Sequence, residues 1–152
     1  MMRFIRWVLG LIAAALATYI VGTALNSQFV IGMHDISVSI GDRFNMTMFD
    51  ISNMVAYLVI VAIALLIGFL IATILKRFLP NLARVAYPIA GGAAIAVALG
   101  AMYMMFQTIP ISGARSTMGF LAQVFAGAIG GWVFARIAVQ PTKSVTPAKA
   151  GA

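Results

Sequence analysis

The chain has no cysteine, no glutamate, one histidine and three acidic residues in 152 positions. The missing thiols remove disulfides, thiolate zinc sites, iron–sulfur ligation and thiol nucleophiles together. They do not indicate a redox compartment, because a zero count fits either side of a membrane. Charge is scarce overall. Charged residues make up 9% and hydrophobic ones 63% of the chain, against about 25% charged in an ordinary soluble domain. A globule so poor in charge cannot cover its own surface with polar groups, so the solvent for most of this chain is lipid. The net charge of +7 does not indicate nucleic acid. The basic residues stand at the ends of apolar runs and form no patch interleaved with aromatics.

Runs of about 20 apolar residues cross a bilayer as helices. Four occur here, over residues 7–25, 54–75, 88–106 and 118–139. No charged residue interrupts the first three, and Arg136, in the last turn of the fourth, has a stem long enough to snorkel. The sequence therefore predicts an all-α integral membrane protein, a four-helix antiparallel bundle in a single domain over 1–139. A small cap lies between the first two spans, and a disordered tail, QPTKSVTPAKAGA, follows over 140–152. Arg3, Arg6, Lys76, Arg77, Arg84, Arg136, Lys143 and Lys149 fall on one side, and only Arg43 and Arg115 on the other. The positive-inside rule puts the first set in the cytoplasm with both termini, as expected of a multi-pass membrane protein. A cleaved signal peptide at MMRFIR and the run after it is disfavoured, because the run exceeds the usual h-region of about 7–15 residues.

Small residues recur at spacing four within each span, as close helix packing in lipid requires. The rows are Gly10, Ala14, Thr18, Gly22; then Ala64, Gly68, Ala72; then Gly92, Ala96, Gly100; and finally Gly119, Gln123, Gly127, Gly131, Ala135, beside Ala122, Ala126, Gly130. Gln123 is the most polar side chain deep in a span. It is expected to make an interhelical hydrogen bond rather than line a pore. Thr18, Thr23 and Thr73 are expected to bond back to their own helix carbonyls. Trp7, Tyr57, Tyr87 and Trp132 fall toward span ends, where interfacial aromatics stand. The short link KRFLPNLAR, 76–84, makes the second and third spans antiparallel neighbours. Pro88 suits a first helical turn, and Ser116 or Thr117 can cap the fourth helix.

All three acids, Asp35, Asp42 and Asp50, and the one histidine, His34, lie in GMHDISVSIGDRFNMTMFD, within an outer segment over 27–50. Apolar residues alternate there. A three-residue turn at Gly41, Asp42 and Arg43 sets Ile40 against Phe44, Val38 against Met46 and Ile36 against Met48. The alternative is a strand over 36–40 followed by a short interfacial helix beginning near Asp42. His34 and Asp35 are neighbours and would point to opposite faces of a strand, and no spacing among these residues matches a metal-ligand set. Asp50 is expected to cap the second span and Asp42 to serve the turn, with Arg115 pairing with one of the three acids. No catalytic, cofactor or metal residue is assigned. A proton-coupled pump is disfavoured because no carboxylate lies within a span.

The phrases SIGDRFNMTMFD and PISGARS look like those of small four-span inner-membrane proteins of proteobacteria. That resemblance implies no activity and carries over no site residues. The expected partners are the lipid bilayer and either further copies of the chain or a larger membrane complex. The expected function is that of a non-enzymatic accessory or assembly subunit, with a small oligomeric channel or transporter as the alternative.

Overall fold

The computed structural model describes residues 1–33, 37–78 and 85–139. These residues form five α-helices, α1 (Met2–Met33), α2 (Ile40–Asn53), α3 (Val55–Phe78), α4 (Ala86–Phe106) and α5 (Thr117–Ala138), and one 3-10 turn, Ser112–Arg115. Four of them, α1, α3, α4 and α5, are long and apolar enough to cross a membrane, so the chain is a multi-pass membrane protein. The expected four-span plan holds, with ends moved by a few residues except at the outer end of α1.

That helix has 32 residues, about 48 Å at roughly 1.5 Å per residue, well beyond a hydrocarbon core of about 30 Å. It continues through Asn26, Ser27 and Gln28, because each of these polar side chains finds a partner on α2 or the 3-10 turn. Nothing between 25 and 31 breaks a helix.

The cap is helical, and the hairpin is corrected. Ile40–Asn53 is one amphipathic helix, and no strand occurs among the described residues. Ser39 caps it. Its backbone is extended and its Oγ accepts from the Asp42 N–H at 3.2 Å while donating to the Asp42 carboxylate at 2.7 Å. A serine followed three residues later by an acid is a capping signal of the same logic as the capping box. Gly41, Asp42 and Arg43 form the first helical turn instead of a hairpin turn. The alternating pattern misleads because it contains a second pattern: Ile40, Phe44 and Met48 also recur at four-residue spacing, one helix face. The alternative of a short helix near Asp42 describes the helical part; 37–39 form no strand and Ile36 is outside the described residues.

α5 is the centre of the bundle, packed along α1 on one side and α4 on the other, with α3 bridging α4 and α1. Backbones meet where glycines face each other. A Cβ on Gly127 would lie 2.5 Å from the Gly91 carbonyl oxygen, and one on Gly130 would lie 2.8 Å from that of Ala14. The expected rows on α1 and α5 are buried along most of their length, Gly10 to Gly22 and Gly119 to Gly131. Those on α3 and α4 hold in part. On α3, Ala72 is buried and Gly68 packs on α4, a Cβ there lying 3.1 Å from the Ala90 carbonyl oxygen, while Val61, Leu65 and Phe69 fill the deeper face. On α4, Gly92 is buried against α5 beside Gly91, Ile95, Leu99 and Met102, whereas Gly100 faces open space.

At the end that holds the termini, each spanning helix contributes one aromatic to a plug. Phe134 stacks with Phe69 at 4.3 Å and Tyr87 at 4.8 Å between ring centroids and meets Trp7 edge-on at 5.5 Å. Tyr87 is therefore a core group, where the sequence suggested an interfacial one, and Trp7 is half-buried against the plug.

Candidate functional site: the polar core around Gln123

The interior changes character along its length. Toward α2 the inner face of α1 carries Thr18, Thr23, Asn26 and Ser27, all buried. Gln123 of α5 sits against this face with 1% of its surface exposed. Its Oε1 accepts from the Tyr57 hydroxyl at 2.8 Å, and its Nε2 donates to the Gly22 carbonyl at 2.8 Å. Three helices thus meet at one amide. A side chain at Gly22 would displace the amide, because a Cβ would stand 2.6 Å from Gln123 Oε1. The interhelical hydrogen bond expected of Gln123 is present, twice over. Tyr57, expected in the interfacial belt, is instead 5% exposed and part of this node.

One turn further along α1, Asn26 Oδ1 accepts the Gly113 N–H at 2.8 Å, which fastens the 3-10 turn to α1. The neighbouring Ser27 hydroxyl lies 2.6 Å from the Asp50 carboxylate and 3.1 Å from the Thr23 carbonyl. Tyr19 donates to the Ile51 carbonyl. Thr47 accepts from Gln28, which in turn accepts from Arg43 at 3.1 Å. α2 is held to α1 by these bonds more than by greasy contact, since Thr47 is its one buried residue. Asp50 is therefore a tie between α2 and α1. It lies inside α2, and α3 begins at Val55 without a carboxylate cap, which corrects the capping role expected of it.

Thr73 bonds back to the Phe69 carbonyl at 2.7 Å as expected. The Thr18 and Thr23 hydroxyls, by contrast, are fully buried and have no hydrogen-bond partner among the described residues. Ser116 is the cap of α5, accepting from the Gly119 N–H at 3.0 Å. Arg115 Nε donates to the Ile109 carbonyl at 2.9 Å, and among the described residues it forms no ion pair. His34 and Asp35, with the 140–152 tail, lie outside the described residues.

Asp42 and Asp50 each bond a serine, and among the described residues no group of three histidine or acidic side chains converges. Each end of the Gln123 amide is occupied by a protein partner, and the aromatic plug follows on the side of the termini. Of the members that sequence reasoning did not place here, Tyr57, Asn26 and Ser27, one had a signal. Asn26 lies four residues beyond Gly22 and so continues the small-residue row of α1.

No family model, curated protein or solved structure matches the chain.

Proposed function

We propose that this protein is a non-enzymatic accessory or assembly subunit of a membrane complex, working through the outer faces of its helices. The observation that carries this is the closure of the interior. Gln123 is buried and bonded at both ends, and Trp7, Phe69, Tyr87 and Phe134 fill the bundle beyond it. A single chain so packed offers no path for a solute.

A channel built between copies is the second reading. It would be lined by the exposed faces, and at membrane depth these carry Ile63, Ile67, Val97 and Leu121. Such a wall favours lipid or another apolar helix over water. The charge distribution supports a topology with both termini in the cytoplasm.

Copurification from native membranes with mass spectrometry tests the proposal. A stable unrelated membrane protein recovered in fixed ratio is expected. A pure homo-oligomer that carries ions in vesicles would replace the proposal with the channel.

A further inference from the structure

The outer faces of α3 and α4 diverge into an apolar groove of about 670 Å³, within the range of ligand pockets. Its walls are Ile67, Ile71, Ala93 and Val97 among other apolar residues, and the one charged group on it is Lys76, at the end that holds the termini. From Ile60 to Lys76 the groove follows seventeen residues of α3, about 24 Å from first to last at roughly 1.5 Å per residue. That is deeper than one leaflet of a hydrocarbon core about 30 Å thick. The Lys76 ammonium donates to the Tyr87 hydroxyl at 2.9 Å and lies 5.1 Å from the centre of that ring. Neither partner is an anion.

Among the described residues no carboxylate meets Lys76, since Asp42 and Asp50 stand on α2, at the opposite end of the bundle. The described residues thus leave the Lys76 charge without a counter-ion. A second copy does not supply it, because parallel copies in one membrane bring their basic ends together. We infer that the groove seats one anionic phospholipid, its phosphate on Lys76 and an acyl chain along α3 and α4. A head of one negative charge with a long apolar tail is the chemistry that complements a slot with one cation at its rim. This site is independent of whether the protein serves as a subunit or a channel.

The test is native mass spectrometry of the purified chain with phosphatidylglycerol or phosphatidylcholine of the same acyl composition. One phosphatidylglycerol should be retained about fivefold more strongly, the attraction expected of a lysine at an anionic membrane surface. Lys76→Gln should abolish the preference and Lys76→Arg keep it. Arg77→Gln, one residue on but outside the groove, should also keep it. Ala93→Phe should weaken both lipids by filling the slot. Equal retention of the two lipids by the wild type would overturn the site, and so would a preference that survives Lys76→Gln. An equal loss with Arg77→Gln would show diffuse attraction instead and overturn the site as well. Since the chain has no native cysteine, Val97→Cys offers a clean check. Efficient disulfide dimers in membranes would assign the groove to a second copy and overturn the lipid.

Discussion

The Tyr57 hydroxyl and the Gln123 amide, 66 positions apart in sequence, meet at 2.8 Å in the buried centre of the bundle. This contact and the Phe69–Phe134 ring pair join α3 to α5, which are otherwise separated by α4 and α1. Loss of the contact therefore has consequences that its single hydrogen bond understates. In Gln123→Ala the Tyr57 hydroxyl is left buried without an acceptor, a penalty of about 1–3 kcal/mol. Thermal unfolding in detergent should show the loss. A double-mutant cycle with Tyr57→Phe should give a coupling of about 0.6 kcal/mol and no more than roughly 1.7. Additive effects would mean that the two side chains do not meet.

The glycines divide into two kinds, and substitution separates them. Gly127→Val drives a branched side chain into the Gly91 carbonyl and Ile95, so α4 and α5 must part and the folded fraction should fall sharply on size-exclusion chromatography. Gly100 meets nothing within 4 Å. Gly100→Ala should therefore be neutral or stabilising by up to about 1 kcal/mol, the helix-propensity difference.

Thr18 and Thr23 carry buried hydroxyls with no partner among the described residues. Removing an unsatisfied buried hydroxyl at nearly constant shape recovers desolvation cost, on the order of 1–3 kcal/mol. Thr18→Val and Thr23→Val should each raise the melting temperature in detergent. A drop would show that the hydroxyl is bonded, and ordered water would be the partner to seek.

Ser39 fixes the start of α2. Ser39→Ala should cost about 1 kcal/mol, and Ser39→Asp far less. Hydrogen exchange at residues 40–44 is the readout, with faster exchange expected in the alanine variant alone. A hairpin over 36–48 would show no such dependence.

Length, hydropathy and charge place the four spans because the bilayer imposes them directly on sequence. The burial of Gln123 is also legible, since a polar residue on a glycine row has to face a neighbouring helix. Two features are not. The alternation over 36–48 satisfies a strand and, at Ile40, Phe44 and Met48, a helix as well, and Ser39 with Asp42 decides between them. The deepest faces of α3 and α4 are bulky, with Leu65, Phe69, Ile95 and Leu99 in the interior and Gly68 and Gly92 at the helix contacts beside them, a division that small-residue spacing alone does not reveal. Tyr57 and Tyr87 stand near span ends, but the hydrogen-bond partners and rings that draw them inward come from other helices, which spacing along one helix cannot reveal.

Water access to the bundle centre is the most direct measurement. Ala126, three residues from Gln123, is fully buried, whereas Asn45 on α2 is exposed. In the cysteine-free background, Ala126→Cys should resist membrane-impermeant maleimide applied from either side under conditions that label Asn45→Cys to completion. Labelling of Ala126→Cys at a comparable rate in the folded protein would show a continuous aqueous path past Gln123 and contradict the closed interior.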